Sequence, residues 1–193
     1  MKDASINRRK DIRTLNEFHT DIINRTLKER FLARLFVMEM RAHNHIISVK
    51  ETGNKDAGII TKRSSCESDY EFTIDGTVHL VDIKNCGIST KATFKVYQLE
   101  QYIKQKASIL LFIGTGFIDK DPTKIKYKQT QWALVTPPNI QNMLDNLTPY
   151  KDPNFGYKQC VRVLSANFNK YFQLQPLIVQ NIKYFSGMDL DKP

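Results

Sequence analysis

Apolar and polar positions alternate in two short runs, Asp69-Tyr-Glu-Phe-Thr-Ile74 and Thr77-Val-His-Leu-Val-Asp-Ile-Lys84, separated by Asp75-Gly76. A period of two, in residues that favour extended chain, predicts two strands. Asp-Gly between them predicts a type I′ turn, which needs positive φ at both central positions. The segment is expected to be a hairpin. Counting sides along it puts Asp82 and Lys84 on one face and Ile83 on the other. Folding about Asp75-Gly76 returns Asp69 to the end that carries Asp82 and Lys84.

From about Thr20 to Ala42 the period becomes helical, with Leu27, Phe31, Leu32, Leu35, Phe36 and Met38 in phase. Leu27, Met38, Phe31, Leu35 and Leu32 sweep one face. Glu39 falls inside that sweep and Glu29 at its edge beside Phe36. A carboxylate aimed into an apolar face is costly unless it is paired or bound to a cation, and Lys28 or Arg41 could pair with Glu39. Residues 46–50 read as a short strand, 51–58 as a turn-rich loop, and 59–63 as a strand or ordered loop. Ser89 or Thr90 can cap a helix running to about Gln105 or Lys106. Lys91 and Lys95 would then occupy its first turns, and Gln98 and Tyr102 would share a face. Ser108–Gly114 is a continuous apolar run, expected as a buried strand reached by a helical crossover. The order over residues 20–114 is thus α-β-β-β-α-β. Beyond it, 119–130 reads as a basic connector and Gln131–Val135 as a strand stopped by Pro137-Pro138. Asn139 can cap a helix to about Leu147, and Gln159–Leu164 reads as another strand. No chemistry is recognisable in 119–193, which is expected to be an extension of the same domain.

The chain has 193 residues, enough for one domain with a full core. Its 41% hydrophobic and 25% charged residues are those of an ordinary soluble globular protein. No run approaches the ~18 apolar residues of a membrane span. The charged N-terminus has no apolar segment behind it, so no secretory leader is expected. Cys66, Cys86 and Cys160 lack any C-x-x-C, which argues against structural zinc or a disulfide framework and fits a reducing cytoplasm. His43 and His45 are expected to serve the helix end rather than a metal. There is no phosphate-binding P-loop, dinucleotide fingerprint or nucleophile elbow. Lys and Arg number 29 against 20 acids, a net charge of +9, which favours a polyanionic partner. Lys62 and Arg63, just upstream of Asp69, and the Lys91–Lys95 pair could hold phosphates.

Two acids and an ammonium group at one strand end are the chemistry of a divalent-cation site, since paired carboxylates repel without a cation between them. Ser68-Asp69 followed by Asp82-Ile83-Lys84 resembles the motif of the PD-(D/E)xK nuclease superfamily, with Ser68 in place of the usual Pro. The resemblance implies a restriction-endonuclease-like α/β core, with a mixed central sheet flanked by helices. It implies Mg²⁺, with Mn²⁺ as a substitute, held by Asp69, Asp82 and the carbonyl of Ile83. A helix carboxylate would join them, Glu39 first and Glu29 in reserve. Lys84 would position the attacking water and stabilise charge on the phosphate. Gln98 and Tyr102 resemble a Gln-x-x-x-Tyr found in exonuclease members, a nucleic-acid contact. The expected activity is endonucleolytic hydrolysis of DNA, by a homodimer if two strands are cut. The alternatives are cleavage of RNA, or a non-cutting nucleic-acid-binding or interaction module on the same fold.

Overall fold

The computed structural model describes residues 15–52, 68–88, 91–115 and 126–179. Its axis is a strand buried on both sides. Ile109, Leu111 and Ile113 enter one core, while Leu110 and Phe112 enter the other. Such two-sided burial is why this run is apolar throughout rather than alternating.

In chain order the elements are α1 (Leu15–Ala42), β1 (Ile47–Glu51), β2 (Tyr70–Ile74), β3 (Thr77–Gly87), β4 (Lys91–Lys95), α2 (Val96–Gln105) and β5 (Ser108–Thr115). They continue with β6 (Lys126–Val135), α3 (Pro137–Asn146), β7 (Tyr150–Asp152), β8 (Lys158–Leu164), α4 (Phe168–Tyr171) and β9 (Gln175–Pro176). Among the described residues, six strands form a mixed sheet in the order β1-β2-β3-β5-β6-β9. Among these strands β3 and β5 run parallel, joined by a crossover through β4 and α2, and the other described pairs are antiparallel. The protein is therefore α/β. A second, antiparallel sheet of order β4-β8-β7 packs its inner face on the α2 side of the large sheet. α1 covers the opposite face. Among the described residues, no helix is long and apolar enough to cross a membrane.

The hairpin forms as its alternation requires. Ile74 pairs with Thr77, and Asp75 and Gly76 take φ of 48° and 82°. Asp75 also holds the entry to β1. Its Oδ1 accepts from the Ile46 amide at 2.9 Å, and its Oδ2 lies 2.6 Å from His45 Nδ1. His45 thus ties the end of α1 to the turn.

Four expectations are corrected. Lys91 and Lys95 are on a strand, not in the first turns of a helix. Ala92 and Phe94 point inward, and pairing with β8 supplies backbone hydrogen bonds that outweigh the helix-start signal at Ser89 and Thr90. α2 begins only at Val96, with no side-chain cap. β6 starts at Lys126, inside the basic connector, past a register shift opposite Ile113 and Thr115. Pro137 and Pro138 open α3 rather than precede it, where their missing amides cost nothing. Finally, the buried stripe of α1 is Leu32, Leu35, Phe36 and Met40, while Leu27 is exposed. Phe36 sets that rotation, meeting the rings of Phe72 and Trp132 edge-on at 5.2 and 5.1 Å.

Candidate active site

β3 outruns β2. The last β2–β3 pair is Tyr70 with Val81, so Asp69 comes level with Asp82 one step beyond the ladder. The backbone there is pinned from β1: the Thr52 amide donates to the Asp69 carbonyl at 3.0 Å, and the Thr52 hydroxyl to the Ser68 carbonyl at 2.7 Å. On the other side, β5 fixes β3 through Gly87. Val81 and Ile83 face α1, which leaves Asp82 and Lys84 on the α2 face.

Asp82 is buried at 4% exposure. Its Oδ2 takes the Lys84 ammonium at 2.6 Å and a hydrogen bond from the Tyr102 hydroxyl. Tyr102 reaches it from α2, which stands over this end of the sheet. Among the described residues, no amide, hydroxyl or ammonium group reaches the buried Asp82 Oδ1. The neighbouring acid is Asp69, and a hydrogen bond between the two side chains requires a shared proton. Burial, then the hydrogen bond and charge of Asp82, push Asp69 up to about 8. Burial also acts on Asp82, but the Lys84 ammonium and the hydrogen bonds from Asp69, Lys84 and Tyr102 outweigh it and hold that acid below its usual range. The proton therefore sits on Asp69.

This arrangement brings together Asp69, Asp82, Lys84 and Tyr102. It does not include Glu39. That carboxylate is fully buried on the α1 side, where it accepts from the Ile178 amide at 2.9 and 3.0 Å and the Val179 amide at 3.0 Å. His43 Nε2 lies 3.3 Å from its Oε1. Glu39 is satisfied by the far end of the described chain, not by Lys28, Arg41 or a cation near Asp82. The helix acid that bears on Asp69 is Glu29, ten residues earlier and about 15 Å along the axis. It also acts, with Glu51 and Asp69, on the Tyr70 phenol, which burial and these acids push up. Arg30 neutralises Glu51 through hydrogen bonds of 3.3 and 3.1 Å.

The remaining candidates are dispersed. Ile83 has its side chain in the α1 core. Gln98 is half-buried one turn before Tyr102. Lys91 and Lys95 lie on β4. Lys62, Arg63 and Cys66 fall outside the described residues. Cys86, on β3, is a half-buried free thiol that burial pushes up to about 12, so it is no nucleophile.

Tyr102 has a larger part than its spacing from Gln98 indicated, because it orients an acid. No sequence signal gives that role.

Two level acids, one with an oxygen that no amide, hydroxyl or ammonium group of the described residues reaches, fit a divalent cation, since Mg²⁺ takes one or two carboxylates and fills its remaining positions with water or phosphate. Among the described residues, no cluster of three His, Cys, Asp or Glu side chains is placed to hold a metal unaided. No protein-family model matches the chain, and no curated protein matches it in sequence.

Proposed function

We propose that the protein is a Mg²⁺-dependent deoxyribonuclease whose chemistry is centred on Asp69, Asp82 and Lys84. The observation that carries this reading is Asp82 itself, buried, level with a second acid, and with one oxygen that no amide, hydroxyl or ammonium group of the described residues satisfies. Asp69 and Asp82 would hold the cation, with the Ile83 carbonyl and Glu29, whose charge bears on Asp69, as candidates to join them. When bound, the cation supplies Lewis-acid polarisation of a phosphoryl oxygen.

The chain's own groups account for the rest. Tyr102 and Lys84 both address Asp82 Oδ2, which fixes the rotamer of the carboxylate. The Lys84 ammonium is partly exposed, so it can hold an attacking water and meet negative charge developing on the phosphate. Asp69 must lose its proton before both acids can act together as anions. A net charge of +9 supplies attraction for the DNA backbone.

The test is cleavage of supercoiled plasmid and defined oligonucleotides with Mg²⁺, Mn²⁺ or a chelator. The wild-type chain is expected to cut with either metal and not with chelator. Lys84→Ala and Asp82→Ala, each checked for folding, are expected to lose about 100-fold or more in rate while still binding DNA. Undiminished metal-dependent cleavage by both variants refutes the assignment.

A further inference from the structure

The smaller sheet turns a second chemical surface outward. Ala92, Phe94, Val161 and Val163 are its inward residues. The alternate positions Lys91, Lys95 and Arg162 therefore point away from the core. Over residues 91–95 and 150–164 the cations are Lys91, Lys95, Lys151, Lys158 and Arg162, and the only acid is Asp152. Asp152 is buried and occupied, accepting from the Tyr150 hydroxyl at 2.6 Å and the Asn154 amide at 2.9 Å. Its Oδ2 lies 3.6 Å from Arg162 Nη2, so its charge is paired with that one cation and four lysines remain.

The cations are organised by rings. Lys95 Nζ lies 5.2 Å from the centre of the Phe155 ring and Lys158 Nζ 5.1 Å from that of Tyr97. The Arg162 guanidinium stacks 4.3 Å from Tyr150, whose hydroxyl accepts from Nη2 at 2.6 Å. At the tip between β7 and β8, Tyr157 is 63% exposed with a φ of 58°. A bulky residue rarely adopts that conformation, yet here it holds a ring out into water beside the partly exposed Phe155. The face adjoins the acid site through α2. Tyr97, under Lys158, precedes Tyr102 by five residues, about 7.5 Å along the helix.

We propose that this face binds a single-stranded polynucleotide, with phosphates on Lys91, Lys95 and Lys158 and bases stacked on Phe155, Tyr157 and the Arg162–Tyr150 plane. Cations interleaved with exposed rings suit unpaired bases, whose faces are open, better than a duplex, whose faces are stacked inside. The inference rests on the nuclease reading only in naming the substrate that reading leaves open.

Binding is measured in chelator, where cleavage does not interfere. Fluorescence anisotropy of the full chain is followed with labelled oligothymidine, oligouridine and a DNA duplex of equal length, and co-sedimentation with phosphatidylserine vesicles. Either single strand is expected to bind more tightly than the duplex; which one is tighter tells DNA from RNA. Phe155→Ala and Tyr157→Ala are each expected to weaken single-strand binding about fivefold or more, while Tyr157→Phe binds as wild type. Lys91→Ala and Lys158→Ala should each flatten the salt dependence by about 0.7 in log–log slope.

Unchanged affinity in the ring variants, equal or tighter duplex binding, or vesicle binding without oligonucleotide binding overturns the proposal. If the ring variants keep the oligonucleotide while Lys84→Ala binds it but no longer cleaves with Mg²⁺, this inference fails and the nuclease reading stands. If the chain never cleaves but the ring variants lose single strands, the nuclease reading fails and this one stands.

Discussion

Replacing Asp69 with Asn is expected to stabilise the metal-free protein at neutral pH. The structure holds Asp69 as the acid of a buried pair, with its pKa raised from 3.8 to about 8. An acid raised in this way contributes its full share of stability below about pH 4, where both states carry the proton. That share is lost as pH climbs to about 8, because the unfolded chain ionises first. At pH 7, taking up the proton on folding costs at most ~4 kcal/mol. Asp82 is held down by Lys84 and Tyr102 in both proteins, so that share cancels, and about half of the ceiling, ~2 kcal/mol, allows for the solvent that reaches the half-buried Asp69. Asparagine keeps a donor for Asp82 and carries no charge to bury. For a domain of this size the gain corresponds to a rise in Tm of about 4–8 °C. The assay is thermal unfolding of wild type and Asp69→Asn in chelator from pH 4 to 8, read as the difference between the two. That difference should be near zero at pH 4 and grow towards pH 8. Added Mg²⁺ should raise the wild-type Tm and leave the variant unmoved. A variant less stable than wild type at pH 7, or a difference that does not change with pH, refutes the shared-proton account.

Tyr102→Phe removes one donor from a buried carboxylate and should cost about 1.5–3 kcal/mol in chemical denaturation, with m-value unchanged. It should also slow cleavage, since Asp82 loses half of what orients it; an unaltered rate would show that Lys84 suffices. Glu39→Gln should leave the cleavage rate of folded protein intact while speeding hydrogen exchange at the Ile178 and Val179 amides. Loss of metal response in that variant, with those amides still protected, would return Glu39 to the metal site.

The parts of the fold that follow local rules were legible. Asp75-Gly76 between alternating runs specified a turn whose φ values are 48° and 82°, and the register that levels Asp69 with Asp82 follows from the two-residue period. The apolar run at Ser108 was equally plain. β4 was not, because Ala92-Thr93-Phe94 is too short to declare a period and its partner β8 lies some 70 residues further on. Glu39 shows the same limit in another form. Its place on an apolar face marks a carboxylate needing a partner, but the donors that satisfy it are backbone amides, which carry no side-chain signature. Tyr102 was singled out for its distance from Gln98. Its reach to Asp82 depends on where α2 begins, and that depends on β4. The rings that carry cations on the small sheet come from α2, β7 and the turn after it, so no single stretch announces them.

The grip of Glu39 on Ile178 and Val179 spans 139 and 140 residues. A carboxylate on α1 thus waits for the amides of residues 178 and 179 before it is fully hydrogen-bonded in the core. During synthesis α1 emerges before residues 178 and 179, and until they arrive it can seat against the sheet only by burying a carboxylate that has His43 beside it and neither amide donor. A ribosome-bound chain cut short before residue 178 should therefore keep α1 undocked, and release of the last segment should close the fold in one late step.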